Sequence, residues 1–295
     1  MSRPTPAAGT VLLIIGCGYL GLALATRARA AGLTLRLTTR SAARVATLNA
    51  AGLGEVAQLD LGAADAAARV TALARGVAHV VCLLPPSAGV DGANSCAPFA
   101  QLCAVLSTLP ELGSAVMASS TAVYGDCAGA VVNAATPCTP DTPRAQRLCD
   151  LETHWRGRPE NRIVRLAGLY GPGRVVGAAG LARGEPVSGD RDAWLNLIHR
   201  SDAAALLLRC LAPATAAVEL GCDGAPVTRR DYYHYLAAQL GLLPPLFSGL
   251  PAARGSASRR CDRTLTTLRT GWWPQYRDFR AGLAAGPLPV PGPLG

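Results

Sequence analysis

Three features of the sequence predict an α/β fold built on a doubly wound parallel sheet. A short apolar run, Val11–Ile15, leads into the glycine-spaced turn GCGYLG. Helix and strand patterns follow, so that Val11–Ser41 holds one complete βαβ unit. Short apolar runs then keep alternating with Ala- and Leu-rich stretches as far as Leu166. Runs that are apolar at every position suit strands buried on both faces. Alternation of strand with helix is the pattern of a parallel sheet covered on both sides.

The opening unit carries the most chemistry. Gly16, Gly18 and Gly21 stand in G-x-G-x-x-G spacing directly after a strand. In that context Gly16 allows the tight turn, Gly18 lets a pyrophosphate approach the backbone, and Gly21 lets the helix pack on the sheet. The helix start presents free N–H groups and partial positive charge to the phosphates. The expected dinucleotide-binding residues here are Gly16, Cys17, Gly18, Tyr19, Leu20 and Gly21. Gly32 stops the helix, and Thr34–Thr38 forms the second strand. That strand ends in Thr38-Thr39-Arg40-Ser41 with no acidic residue nearby to accept from ribose hydroxyls. Arg40, flanked by Thr39 and Ser41, suits a 2′-phosphate, so the expected cofactor is NADP (NADPH).

The remaining elements follow in order. Ala42–Ala50 reads as a helix, and Glu55–Leu59 as a third strand ending at Asp60. Asp60 either reaches an adenine amino group, with Leu61 beside it, or caps a helix over Ala63–Ala74. Val77–Leu84 is a fourth strand, broken by Pro85 and Pro86 where the cofactor would pass. That places Leu84 and Pro85 against it. Ala97–Leu109 reads as a helix with Pro98 in its first turn, and Ala115–Ser119 as a fifth strand running into SSTAVYGD. Pro143–Trp155 is a helix. Arg162–Leu166 is a sixth strand, followed by AGLYGPGR with Ala167 and Gly168 at its end. Beyond Arg174 the pattern changes. Leu195–His199 and Ala217–Leu220 read as strands, and Asp202–Leu211 as a helix capped by Ser201. Thr228 and Asp231 resemble a capping box opening a helix to Leu240. Tyr232, Tyr233 and Tyr235 on that helix read as core packing or, alternatively, a substrate wall.

Composition narrows the function classes. The chain has 295 residues and a net charge of +9, all of its cationic side chains apart from His being Arg, with no Lys. The arginines are scattered, so no nucleic-acid partner is expected. No apolar run reaches membrane-spanning length, and residues 1–9 hold no signal core. The expected location is cytoplasmic, with no membrane partner. The 10 Cys residues include no C-x-x-C pair, so they read as buried hydrophobes rather than disulfides or metal ligands. Residues 1–9 and 286–295 read as flexible tails, 10–174 as a dinucleotide-binding domain and 175–285 as a substrate lobe with elements returning to the sheet.

The motifs GCGYLG, SSTAVYGD, RIVRLAGLYGPGR and NLIHRSDAA resemble the extended short-chain dehydrogenase/reductase family, of the NAD(P)-dependent epimerase/dehydratase type. The likeness spans nearly the whole chain. The G-x-G-x-x-G spacing and the segment RRCDRTLTTLRTGWWPQYRDFRAGL look like an atypical branch, many of whose members have no assigned reaction. The resemblance implies a Rossmann-like sheet, a small C-terminal substrate lobe, and catalysis by Ser or Thr with a Tyr and Lys in Y-x-x-x-K spacing. Ser120 falls at the Ser/Thr position. Matching RL of TPRAQRLCDLE to the family's KL puts Arg147 at the lysine position and Pro143 at the tyrosine position. Arg147 can hold the nicotinamide ribose but does not deprotonate. Tyr124 is the nearest phenol, with turn packing as its other reading. His199 could titrate near neutrality, although a His after a strand also serves as a hydrogen-bonded structural residue. Asp202 supports a helix start. The dehydratase Asp-Glu pair is replaced by Thr121 and Ala122, which sets dehydration aside.

The expected function is therefore NADP-dependent hydride transfer on a small carbonyl, imine or nucleotide-sugar substrate. Ser120 would polarise the substrate, and Tyr124, His199 or water would supply the proton. The alternative is a non-catalytic NADP-binding sensor or scaffold. The assembly considered is a homodimer.

Overall fold

The computed structural model describes residues 6–86, 96–212, 216–250 and 257–286. Five strands, β1 (Val11–Ile15), β2 (Thr34–Thr39), β3 (Glu55–Gln58), β4 (His79–Cys82) and β5 (Ser114–Ser120), join Asn161–Leu166 and Val218–Gly221 in one seven-stranded sheet. From one edge the order is Val218–Gly221, Asn161–Leu166, β5, β4, β1, β2, β3. Every pairing is parallel. The chain runs outward from β1 to β3, then restarts beside β1 with β4 and runs the other way. That reversal leaves a crevice at the carboxyl ends of the strands.

Helices α1 (Tyr19–Ala30), α2 (Ala42–Ala50), α3 (Ala66–Ala74), α4 (Ala97–Ser107) and α5 (Pro143–Trp155) cover the two faces. Alternation along β1 shows how both are filled. Leu12 and Ile14 join Leu24, Ala28 and Leu48 from α1 and α2, and Leu206 and Leu207 from the helix Arg200–Arg209. Leu13 and Ile15 join Val70, Phe99, Leu102 and Trp155 from α3, α4 and α5. Each fully buried Leu or Ile contributes about 1.5–3 kcal/mol. A third core, beyond the sheet, packs Tyr170, Tyr232, Leu236, Phe279 and Leu283 together. Tyr232 and Tyr235 meet Phe279 edge-on at 5.0 and 5.2 Å, so Tyr232 is a core residue and the half-buried Tyr235 packs against that core.

Several local expectations are corrected. Asp60 caps no helix: α3 begins at Ala66 behind Asp65, and Asp60 Oδ1 instead accepts from the Gly62 N–H at 3.1 Å. Leu195–His199 is not one strand. Trp194–Leu195 pairs antiparallel with Val227–Thr228, while Leu197–His199 pairs parallel with Gly168–Tyr170. The next helix opens at Arg200 and is capped by His199, whose side chain accepts from the Ser201 N–H; Ser201 is not the cap. Ala7–Thr10 forms a turn against Gly32, through Gly9 N–H to Gly32 O at 2.8 Å. The rest of the expected N-terminal tail, residues 1–5, and residues 287–295 lie outside the described residues. Thr228 does cap its helix, accepting from the Asp231 N–H. All ten cysteines are free thiols, and Cys17, Cys82, Cys210, Cys222 and Cys261 are buried. Among the described residues no helix is long and apolar enough to cross a membrane, and no three His, Cys, Asp or Glu side chains converge on a metal-sized site.

Four carboxyl groups are buried among the described residues, Glu152, Asp202, Glu219 and Asp223, and two of them show opposite ways of meeting that cost. Glu152 of α5 is fully buried and meets Arg165 in a two-pronged pair, Nε to Oε1 at 3.1 Å and Nη2 to Oε2 at 2.8 Å. Ser119 donates to the same carboxylate at 2.7 Å and Arg156 at 2.9 Å. Removing one member of a buried pair leaves the other charge uncompensated. Glu152→Ala should therefore lower stability by about 3–5 kcal/mol in urea melts, and joint replacement of Glu152 and Arg165 by apolar residues should cost less.

Asp223 is the second. It is 3% exposed, and its Oδ2 has no hydrogen-bond partner. Burial, reinforced by Asp278 and Asp202, lifts its pKa from 3.8 to about 7, against the pull of the Ala225 N–H and Arg263. A carboxyl raised above its unfolded value contributes stability below pH 3.8 that is lost as pH rises through 7. Asp223→Asn should thus raise the melting temperature relative to wild type at pH 8, with the difference vanishing towards pH 4.

Candidate functional site

Two hollows share Gly16, Gly18, Leu83, Leu84 and Pro85 and form one crevice at the reversal point of the sheet. Towards β3 it is lined by Thr38, Thr39, Arg40, Leu59, Asp60 and Leu61. Towards α5 it is lined by Ser119, Ser120, Arg144, Leu148, Ala167, Gly168 and Arg174. Tyr19, Leu20 and Gly21 line the same hollow as Ser120 and Arg144.

The glycine turn is held from β2. Gly16 N–H donates to Thr38 Oγ1 at 3.1 Å, and Cys17 N–H to Thr38 O at 2.6 Å. Gly16 has φ +89°, which favours glycine. A Cβ on Gly21 would lie 3.2 Å from Gly16 O and 3.3 Å from both Cys17 Sγ and Leu83 Cδ1, so an added methyl would have to push these neighbours back by a few tenths of an ångström. A Cβ on Gly18 would meet nothing nearer than Gly16 O at 3.9 Å. That direction opens into the crevice. Helix α1 starts at Gly18 with no side-chain cap and no acid in its first turn. The space and the uncompensated helix end together fit an anionic group brought close to the backbone.

Cys17 does not face the crevice: it is 1% exposed, burial pushes its thiol up to about 11, and its carbonyl accepts from Arg44 Nε at 3.1 Å. Ser41 is likewise occupied, capping α2 through the Arg44 N–H at 3.3 Å. Tyr19 lies beneath the guanidinium groups of Arg200 and Arg174, 4.9 and 5.6 Å from its ring centre. Burial raises its pKa, and the two arginines oppose the rise.

Ser120 is the expected catalytic residue that reaches the crevice. Its Oγ accepts from the Ala122 N–H at 3.2 Å, which turns its own O–H to donate elsewhere. The other three do not line it. Tyr124 is fully buried, donates to Asn133 O at 2.8 Å, and lies under Arg165. Burial pushes its phenol up to about 12. His199 is 3% exposed and wedged edge-on between Tyr170 and Tyr276. Burial, then Arg200, depresses its pKa to about 4, so it is neutral at neutral pH rather than titrating there. Asp202 does more than support its helix, accepting from the Gln275 and Tyr276 N–H groups and so anchoring the C-terminal segment. Arg147 is half-buried and outside the crevice lining.

The α5 face of the crevice is instead Arg144 and Leu148. They are four residues apart, so they share one face of the helix one turn from each other. This is the Y-x-x-x-K spacing shifted by one residue from the RL-to-KL match. Arg174, which lines the same hollow, is the other cation that the sequence analysis left without a role, although the YGPGR segment contains it.

No protein-family model and no curated protein sequence matches the chain. Solved structures do match its fold. A functionally unknown conserved protein from Silicibacter pomeroyi is 27% identical, with TM-score 0.77, over 94% of this chain and 97% of that one. dTDP-glucose 4,6-dehydratase from Bacillus anthracis, solved with NAD, is 14% identical with TM-score 0.78 over 94% and 95%. UDP-glucose 4-epimerase from Thermotoga maritima, solved with UDP-glucose, is 16% identical with TM-score 0.76 over 92% and 96%. The Rossmann-like fold with its C-terminal lobe is therefore shared along nearly the full length of these chains.

The glycine geometry gives a direct expectation. Gly18→Ala should melt within about 1 kcal/mol of wild type, because its side chain enters open space. Gly21→Ala should lose about 1–3 kcal/mol, the scale of overpacking. Comparable urea melts of the two variants would contradict the assignment of open and closed sides.

Proposed function

We propose that this chain is an NADP-dependent oxidoreductase or epimerase-like enzyme of the extended short-chain dehydrogenase/reductase type. The observation that carries the proposal is the crevice itself. It joins an open glycine turn at a helix start to Arg40, with no carboxylate between Thr38 and Ser41. Solved structures of the same fold are named as complexes with NAD and UDP-glucose, and the motifs of this chain resemble those of the extended short-chain dehydrogenase/reductase family.

The residues divide the work along the crevice. Gly16–Gly21 and the start of α1 hold the pyrophosphate. Arg40 offers a charge-assisted fork to a 2′-phosphate. Asp60 and Leu61 lie at the adenine end, Ala167 and Gly168 at the nicotinamide end. Bound there, the dinucleotide supplies the hydride donor or acceptor. Ser120 donates its O–H to the reacting oxygen or nitrogen of a small carbonyl, imine or nucleotide-sugar substrate. The proton comes from water or through Ser120, since Tyr124 and His199 are buried away from the crevice and arginine does not deprotonate.

A second reading, an NADP-binding sensor without turnover, is favoured by one observation: Arg144 and Leu148, not Tyr and Lys, occupy the crevice face of α5. One set of measurements tests both readings. Fluorescence titration should give tighter binding of NADPH than of NADH. Arg40→Ala should weaken NADPH by about 1.5–3 kcal/mol and leave NADH nearly unchanged. Equal wild-type affinities would exclude NADP selectivity. In a screen of carbonyl, imine and nucleotide-sugar compounds, an oxidoreductase would oxidise NADPH, an epimerase-like enzyme would convert its substrate without net NADPH oxidation, and Ser120→Ala would slow either by roughly 10²–10³-fold. A sensor would bind NADPH and show no turnover.

A further inference from the structure

The segment between β5 and α5 meets α5 through sulfur as well as through the buried ion pair. Cys138 in that segment and Cys149 on α5 are both half-buried free thiols. Cys149 stands three residues before Glu152, so the two share one face of the helix. Cys138 reaches the same face from outside. Its Sγ lies 4.0 Å from Glu152 Oε2 and accepts from Arg165 Nη2 at 2.8 Å. The two thiols are hydrogen-bonded to one another. Burial first, then Cys138 and Glu152, pushes the Cys149 thiol up to about 12 against the pull of Arg165, so Cys149 keeps its proton. The other sulfurs that interact among the described residues are Cys82 with Cys103, Cys222 with Cys261 and Cys261 with Cys127. Each of those pairs includes a buried member, which a reagent in solution does not reach.

We infer that Cys138 and Cys149 form a reversible disulfide, a modification site that staples the segment after β5 to α5. The oxidant is a peroxide. The guanidinium against its sulfur makes Cys138 the attacking thiol, because the reacting form is the anion. Its sulfur attacks one peroxide oxygen and the O–O bond breaks. The sulfur is oxidised to a sulfenic acid, and the second oxygen leaves with the thiol proton as water. The Cys149 sulfur then displaces the hydroxyl from Cys138. An S–S bond forms, and the hydroxyl leaves with the Cys149 proton as a second water. Two thiols and one peroxide thus give one disulfide and two waters. Both sulfurs flank the contact of Glu152 with Arg165, so the bridge reinforces the hold of α5 on the sheet.

The test exposes the reduced full chain to a modest excess of hydrogen peroxide and counts thiols after denaturation. Two of the ten thiols should be lost and then restored by dithiothreitol. Peptide mapping of the oxidised wild type should place the bond between Cys138 and Cys149, and needs no variant to fold. Cys127→Ser should lose the same two thiols. Cys149→Ser should stop at a sulfenic acid on Cys138, captured by dimedone, and Cys138→Ser should give neither bond nor adduct at Cys149. Oxidised wild type should melt a few degrees above the reduced protein, as expected for closing a short loop, with no such rise in Cys149→Ser. The inference is overturned if the thiol count does not fall, if the bond maps to other cysteines or joins two chains, if dithiothreitol does not restore the pair, or if the oxidised protein melts no higher than the reduced one.

Discussion

The pair between Glu152 and Arg165 fixes the part of the molecule on which the crevice depends. It joins α5 to the strand Asn161–Leu166, and through Ser119 it reaches the end of β5. Arg165 also donates to Thr136 O at 3.3 Å and lies over Tyr124, which ties in the loop that follows β5. Moving α5 relative to the sheet would strip a buried carboxylate of its partners. Such pairs add little net stability compared with apolar packing, yet they are costly to break. Their effect here is positional: the carboxylate that holds Ser119 leaves Ser120, the next residue, facing the crevice.

The same economy of space governs the opposite wall. Parallel strands buried on both faces leave their carboxyl ends as the sheet's open edge, and the reversal between β1 and β4 parts the covering segments there. The glycine turn crosses that opening, pinned to Thr38 and closed against Leu83 on the Gly21 side. One side of the turn is packed and the other is open. That asymmetry leaves the turn's backbone accessible from the crevice.

Neither Tyr124 nor His199 is among the described residues that line the crevice. Tyr124 and His199 have become structural, the first bonded to the Asn133 carbonyl and the second capping a helix between two tyrosine rings. Both are shifted away from neutrality by burial. The permanently charged guanidinium groups that face the crevice can bind and orient, but they cannot exchange protons at neutral pH.

Local sequence was enough for what depends on neighbours along the chain. The βαβ unit with its glycine spacing, the apolar strands and the helix Pro143–Trp155 were all legible, because periodicity, caps and backbone permissiveness act over a few residues. The positions of Arg40, Asp60, Leu84, Pro85 and Ser120 along the crevice followed from strand ends for the same reason. What only the tertiary structure decided were questions of direction and burial. One residue along a helix turns a side chain by about 100°, so the RL-to-KL match named Arg147, whereas the docked helix turns Arg144 and Leu148 to the crevice. Asp60 lost its capping role because α3 starts later than its pattern suggests. Leu195–His199 split because two different partner strands claimed its halves. His199 and Tyr124 kept the residue types of a catalytic site but not the exposure, and exposure is set by segments distant in sequence: Tyr276 closes over His199, and Arg165 over Tyr124.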